Sequence, residues 1–215
     1  MLKLIKKEFM LGLHPTMIIF LAFASFVFVP NYPYEVMFFF STLSTFFMCI
    51  NARENNDLFF ACTLPVAKAD VAKARILTVT IFQIAMVVLA AAMAALKSAF
   101  IPMPNVVSMD ANAAFVGMGL IILGVFNITF FPMHYKNPNK VGMPFFVAGV
   151  IVFVIICVEI VLCQAVPFVR DKIDTFATEY IWYRIAVLIA GIVAYVLLTA
   201  ASCMASARRL NRVDL

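Results

Sequence analysis

The chain has 215 residues and a formal net charge of +5, and 65% of its residues are hydrophobic while only 13% are charged. Soluble domains contain about 45–50% apolar residues, and a domain of this size could not cover so many with polar surface. The composition therefore excludes a soluble enzyme, a disulfide-stapled secreted domain and a disordered chain, and it predicts an integral membrane protein. The positive charge does not indicate nucleic-acid binding, because Lys and Arg lie in short segments between long apolar runs and form no basic groove.

Six apolar runs are candidates for transmembrane helices, each of which needs about 20 mostly apolar residues. They cover residues 16–29, 36–50, 76–96, 111–131, 143–166 and 184–205, and the first two are short. We therefore predict an all-α fold in one transmembrane domain, residues 1–215. Its parts are an interfacial helix (1–13), spans one and two (14–50), a cytoplasmic segment (51–75), spans three and four (76–132), and spans five and six (143–205) with an outer segment (167–183).

Lys and Arg are concentrated in the N-terminal segment, the connections after the second and fourth runs, and the C-terminal tail. Cytoplasmic connections of membrane proteins are enriched in these residues. The distribution predicts a multi-pass membrane protein with both termini in the cytoplasm.

Sequence motifs for catalysis or cofactor binding are lacking. The chain has no phosphate-binding GxxxxGK[ST] loop, no GxSxG and no HExxH, and its two histidines, His14 and His134, are far apart. The five cysteines include no CxxC pair and are expected to be small core residues. We expect neither a catalytic site nor a bound cofactor or metal in this chain.

The N-terminal segment is predicted to be an amphipathic helix lying on the cytoplasmic leaflet. At 100° per residue one apolar face is formed by Leu2, Ile5, Phe9 and Leu13. The residues that lean away from that face are Lys3, Lys6 and Lys7. The alternative is that the segment only sets the orientation of the chain and has no mechanical role.

The connection 51–75 combines charges of both signs with exposed aromatic character, as a docking element for a soluble partner does. Pro65 is expected to open a short helix there. The candidate docking residues are Arg53, Glu54, Asp57, Leu58, Phe59, Phe60, Leu64, Pro65 and Lys68. The alternative is a solvated loop whose phenylalanines dip into lipid.

Inside the predicted spans, polar side chains are candidates for a translocation path or gate. Glu159 is the one ionisable residue deep in a span, where a charged side chain is costly. It is either a gate or substrate contact, or a carboxyl that is protonated or reaches the nearby interface. Its candidate partners are Arg170, Lys172 and Arg184. Span two adds a hydroxyl face with aromatic neighbours, formed by Ser41, Ser44, Thr45, Phe39 and Phe47, although such hydroxyls commonly bond to their own helix.

The basic N-terminus, the six spans and the run from Leu64 to Arg75 together resemble the permease subunit of type-2 ABC (ABC-2-like) exporters. The run LPVAKADVAKAR is similar to that family's LP[VI]x[RK]xx[VI]xx[KR] segment. The resemblance implies a coupling helix (53–60 with 64–68) that, with the N-terminal helix, rests on a separate ATP-binding subunit. That partner would hold ATP and Mg, and a second permease chain would complete a homodimer or heterodimer.

One feature departs from the family: the stretch before the Leu-Pro motif is mixed in charge instead of acidic.

The predicted function is an ATP-driven exporter permease for amphipathic peptides, lipids or hydrophobic drugs, with an apolar path lined by Phe and Met. Two alternatives are a membrane anchor or regulatory subunit that transports nothing, and an ion-coupled carrier. A carrier is disfavoured because no span is broken by a central proline and buried charge is scarce.

Overall fold

The computed structural model describes residues 1–101 and 103–213, and every regular element in that part of the chain is a helix. This confirms the all-α prediction. The α-helices are α1 (Leu2–Lys7), α2 (Pro15–Leu21), α3 (Val36–Glu54), α4 (Asp57–Thr63), α5 (Lys68–Phe100), α6 (Ala113–His134), α7 (Gly142–Ala165), α8 (Pro167–Lys172) and α9 (Ile181–Leu210). A π-helical segment (Glu8–Gly12) continues α1, and 3-10 segments continue α2 (Ala22–Phe28) and precede α9 (Thr178–Tyr180).

Five helices, α3, α5, α6, α7 and α9, are long and apolar enough to cross a membrane. They correspond to predicted spans two to six. The first predicted span is α2 with its 3-10 continuation, about 24 Å long by helix rise, which is shorter than a hydrocarbon core of about 30 Å. This segment is bent by 87° from the helix before it. The count of six spans therefore stays a prediction.

The connectivity of the chain supports a sixth crossing. Glu8 lies at one end of the bundle, where it contacts Arg75 near the start of α5. Val213 lies at the same end, because its carbonyl accepts a hydrogen bond from Lys68. Tyr34, by contrast, contacts Lys97 near the far end of α5. The chain thus passes from one end of the bundle to the other between residues 8 and 34, through α2.

Local sequence explains where several helices begin. Pro15 is the first residue of α2, where its missing N–H costs no hydrogen bond, and the His14 ring accepts from the Thr16 backbone. Asn112 caps α6 by accepting from the Ala114 and Phe115 backbones. The turn between α3 and α4 contains Asn56 in the left-handed region, with φ 50°, which asparagine tolerates better than most residues.

Helix α6 is the centre of the bundle and packs along α9. The two helices approach at backbone distance through Gly117 and Gly191. A Cβ atom built on Gly191 would lie 2.3 Å from the Gly117 carbonyl oxygen, and one built on Gly117 would lie 2.6 Å from the Val187 carbonyl oxygen. Glycine is required at this crossing because any side chain would separate the helices.

Two predictions for the connection 51–75 are wrong in detail. Pro65 does not open a helix: it lies in the turn after α4, which ends at Thr63. The range 53–60 is not one helix either, since α3 continues to Glu54 and a turn separates it from α4. Lys68 is the first residue of α5. The helix that contains the third predicted span therefore begins eight residues before the predicted start at residue 76.

Candidate functional site

Four charged side chains join three elements at the end of the bundle that holds both termini. Arg75 of α5 is 2% exposed and Glu8 of the N-terminal segment is 1% exposed. The Arg75 Nε donates to Glu8 Oε2 at 2.9 Å and its Nη2 donates to Glu8 Oε1 at 3.3 Å, a two-pronged ion pair. Arg75 Nη2 also contacts the Asp57 carboxylate at the start of α4. Lys7, Glu8, Asp57 and Arg75 form what we call the charge cluster.

Lys7 is the fourth member of the charge cluster and contacts both of its acids. Its ammonium lies 2.5 Å from Asp57 Oδ1 and 3.1 Å from Glu8 Oε1. Burial alone would raise the pKa of Asp57, but the charges of Arg75 and Lys7 outweigh it and hold that pKa below its usual range. Asp57 is therefore ionised at neutral pH, and two cations face two anions. The cluster fastens α4 and the N-terminal segment to the transmembrane helix α5.

Helix α4 turns one face to this cluster and another away from the bundle. Ala61 is buried and Leu58 is half-buried, whereas Phe59 and Phe60 are each more than half exposed. Leu64 and Val66, in the turn that follows, are also exposed. An exposed apolar patch of this kind, held beside charged residues, is typical of a protein–protein contact. We call Phe59, Phe60, Leu64 and Val66 the α4 patch.

The other predicted docking residues fall around the α4 patch. Arg53 and Glu54 are exposed at the end of α3 and lie 3.5 Å apart. Pro65 is exposed in the turn. Lys68 is half-buried and donates to the Val213 carbonyl at 2.9 Å, so it holds the C-terminal tail. Asp57 and Lys68 thus make internal contacts, and the exposed members of the predicted set are those that a partner could reach.

The N-terminal helix faces the bundle differently from the prediction. Its buried residues are Leu4, Glu8 and Gly12, at a spacing of four, whereas Leu2 is 84% exposed. Phe9 is partly exposed and its ring lies 5.7 Å from that of Phe82. Among the lysines, Lys3 and Lys6 are exposed and Lys7 is half-buried.

Lys7 does not lean away from the bundle, because its ammonium is held in the charge cluster. The sequence analysis did not identify Glu8, because its partner Arg75 lies on a distant helix. The one available signal was an isolated acid in an otherwise basic and apolar segment.

The predicted path residues of span two lie in α3, and the structure leaves their role untested. Ser44 donates to the Ser41 carbonyl at 2.7 Å and Thr45 donates to the same carbonyl at 3.4 Å, so these hydroxyls bond within their own helix. Phe39 packs 6.4 Å from Phe145 of α7, and Phe47 stacks on His14 at 5.8 Å. Their place on a translocation path stays a prediction.

A polar network that the sequence analysis missed crosses the middle of the bundle. Gln83 of α5 and Asn127 of α6 exchange amide hydrogen bonds of 2.9 and 2.8 Å. Tyr195 of α9 donates to Gln83 Oε1 at 2.9 Å, and Asn127 donates to Thr199 Oγ1 at 3.1 Å. The network joins three helices where lipid offers no alternative partner. In the sequence its only signal was two amides within apolar runs.

An apolar groove of about 610 Å³ lies beside this network between α5 and α9. Aliphatic side chains and a few hydroxyls line it, among them Ile84, Ile192, Val196, Tyr195 and Thr199. It contains neither the phenylalanines nor the methionines expected for an apolar path.

At the opposite end of the bundle, Glu159 is buried near the end of α7, and the part of the chain that the structure describes provides it with no ion pair. None of the three predicted partners reaches it: Arg170 pairs with Asp171 and Arg184 donates to the Ala177 carbonyl. Lys172 lies over the Phe168 ring. The residue beside Glu159 is another acid, Glu35, which directly precedes α3.

Comparison with known proteins identifies one family. A family model described as ABC-2 family transporter protein matches residues 3–211, nearly the whole chain. Searches of curated proteins and of solved structures give no match. Permeases of this family typically work with an ATP-binding subunit. The family match, together with five to six apolar helices, establishes that the chain belongs to the ABC-2 family of transporter proteins and is a multi-pass membrane permease of an ABC transporter.

Proposed function

We propose that this chain is the permease subunit of an ATP-driven exporter and that helix α4 couples it to a separate ATP-binding subunit. The observation that carries the proposal is the α4 patch, which exposes Phe59 and Phe60 on a helix fastened to α5 by the charge cluster. A partner that presses on this patch would act on a helix that spans the whole membrane.

The charge cluster supports the coupling role because its buried ion pairs hold their partners more firmly than exposed surface ion pairs do. Exposed pairs contribute about 0–1 kcal/mol and exchange easily with water. Arg75 and Glu8 are buried, so separating them would remove from each charge a partner that water cannot replace. Displacement of α4 is therefore expected to carry Arg75, and with it α5, as well as the N-terminal segment.

The remaining parts of the proposal follow the family. A second permease chain would complete the path, as a homodimer or a heterodimer, and the lipid-facing sides of α7 and α9 offer apolar surface for it. ATP and Mg would bind in the partner subunit. The proposed location is the bacterial cytoplasmic membrane with both termini inside, and the proposed cargo is an amphipathic peptide, a lipid or a hydrophobic drug.

The first test isolates the tagged full-length chain from native membranes in mild detergent. We expect a P-loop ATPase, identified by mass spectrometry, to copurify with Mg-dependent ATPase activity. Replacing Phe59 and Phe60 with Ala should reduce the retained ATPase about tenfold or more, since exposed aromatic anchors of an interface contribute about 1–2 kcal/mol each.

The matched control is Phe100→Ala, which removes a phenylalanine that is even more exposed (78%) from the opposite end of the bundle. This variant should retain the ATPase fully. A chain that purifies alone, or that holds an ATPase equally well without Phe59 and Phe60, contradicts the proposal. The alternative of an anchor would be favoured by a retained partner that hydrolyses no ATP.

A further inference from the structure

Two glutamates are buried without a partner at the end of the bundle away from the termini. Glu35, just before α3, is 0% exposed, and Glu159 of α7 is 2% exposed. All four of their carboxyl oxygens are buried, and none receives a hydrogen bond from a donor in residues 1–101 or 103–213. A buried carboxylate that lacks both a cation and a donor carries a large desolvation cost. These oxygens therefore point to a bound species that neutralises them.

The two carboxyl groups lie beside each other. Each is close enough to the other to alter its ionisation and to share a hydrogen bond with it. An ionised carboxylate only accepts hydrogen bonds, so such a bond exists only when one of the two carries a proton, whose O–H then donates to the other. Two adjacent carboxyls of this kind titrate as a pair and hold one proton firmly.

The charged side chains nearest the pair are acids, and outside the pair only the Glu35 backbone N–H and the Ser108 hydroxyl partly offset the raised pKa of Glu35. The groups that face it, from the elements packed around it, are Asp174, Asp110, Ser108, Tyr34, Lys97 and Cys163. Asp110 and Asp174 are themselves joined, since the Asp110 backbone donates to Asp174 Oδ1 at 2.5 Å. The cation of this region, Lys97, is directed elsewhere: its ammonium bonds to the Tyr34 hydroxyl and lies 4.4 Å from the centre of that ring.

We propose that Glu35 and Glu159 form a proton-binding site, in which one shared proton joins the two carboxyls and holds the outer end of α7 against the start of α3. When the proton leaves, two negative charges remain in contact in a dry environment, and the two helix ends are driven apart. The site stands on these contacts alone and does not depend on the coupling role of α4.

The expected pH range follows from Glu35, which lies outside the transmembrane helices. Burial, with a contribution from the charge of Asp174, raises the pKa of Glu35 from 4.5 to about 7. An acid whose pKa is raised by folding stabilises the folded state fully below its unfolded pKa, and that contribution is lost as pH rises through the folded value. The protonated Glu35 therefore stabilises the outer contact in mild acid, and this contribution declines across neutral pH, where the proton that remains on the pair is the shared one.

The test is an infrared pH titration of the full-length protein in lipid nanodiscs. We expect a protonated-carboxyl band that loses part of its intensity with an apparent pKa near 7, as Glu35 ionises and the one shared proton remains. In Glu159→Gln no second acid remains, so the part of the band that persists above that transition should be lost. In Glu35→Gln the transition near 7 should be lost or shifted. The control Asp171→Asn removes an exposed acid of the same end and should leave the titration unchanged.

The titration of the unsubstituted protein keeps the proposal testable if a variant does not fold. A protein without a protonated-carboxyl band between about pH 5 and about pH 9 has no such site. A band that titrates identically in both glutamine variants belongs to other residues and overturns the assignment. A transition that shifts with Na⁺ concentration at constant ionic strength would assign the site to a metal cation and not to a proton.

Discussion

At the scale of single residues, the most consequential contact is the buried pair of Arg75 and Glu8. Bringing two charges out of water is costly, and their attraction compensates for it only when the geometry is good. Here the guanidinium donates to both oxygens of Glu8 and also contacts Asp57. The pair is therefore better explained as a device that fixes how α1, α4 and α5 meet than as a source of net stability.

That explanation predicts an unequal response to substitution. Arg75→Met should lower the free energy of unfolding by about 3–5 kcal/mol, because it leaves two anions, Glu8 and Asp57, with Lys7 as their one cation. The double variant Arg75→Met with Glu8→Leu should lose clearly less than the single variant, since the remaining charges, Lys7 and Asp57, form one matched pair. Thermal unfolding in detergent micelles measures both.

Arg53→Met serves as the control for this comparison. Arg53 pairs with Glu54 at the exposed end of α3, so the change should stay within about 0.5 kcal/mol. If Arg75→Met is as mild as Arg53→Met, or if the double variant is as unstable as the single one, the charge cluster does not hold these elements together.

The residue scale also shows what the sequence could and could not reveal. Glu159 stood out because a charge inside an apolar run is expensive, and the structure does bury it. Its neighbour Glu35 could not be recognised, because it sits in a short connection that resembles an ordinary polar loop. The same holds for Glu8 and Arg75, which are 67 residues apart and meet only after the chain has folded. Local patterns identify a costly residue, but its partner depends on helix packing.

At the scale of elements, the apolar runs identified five helices because the bilayer itself sets their length and composition. The ends of those helices were predicted less accurately. Charged residues such as Lys68, Asp70 and Lys73 obscured the first turns of α5, which extends beyond the hydrocarbon. Pro65 was misread because proline suits both the first turn of a helix and the turn after one.

The contact between α6 and α9 gives a prediction at this scale. Gly191→Ala would place a methyl group 2.3 Å from the Gly117 carbonyl oxygen, a distance that forces the two helices apart. Because backbone atoms cannot move aside, we expect a loss of at least about 2 kcal/mol in unfolding free energy. Thermal unfolding and the fraction of monodisperse protein after extraction measure the effect.

Gly142→Ala is the matched control, since a Cβ atom there meets nothing within 4 Å. It should be neutral or slightly stabilising, because alanine favours helix over glycine by about 1 kcal/mol or less. Equal behaviour of the two alanine variants would mean that α6 and α9 are not in backbone contact at Gly191.

At the scale of the whole molecule, the two ends of the bundle differ in chemistry. The end with both termini contains the charge cluster and the α4 patch, where cations and anions are matched. The opposite end gathers acids from four parts of the chain: Glu35, Asp110 and Glu159 are buried, and Asp174 is half-buried. Burial raises the pKa of Asp174 to about 6, with a further contribution from Asp110. In our two proposals, the first end contacts the ATP-binding partner and the opposite end binds a proton.

This asymmetry leads to a prediction about orientation. Most Lys and Arg residues lie at the end that holds the termini, and positively charged connections remain in the cytoplasm during insertion. A green fluorescent protein fused after the C-terminus should therefore fluoresce, whereas alkaline phosphatase fused within the connection 103–112 should be active. The reverse pattern would place α4 outside the cell, where no ATP-binding subunit could reach it, and the coupling proposal would fail. If a reporter fused before Met1 lies on the same side of the membrane as the connection 103–112, the segment 15–28 does not cross, because the number of crossings before residue 103 is then even.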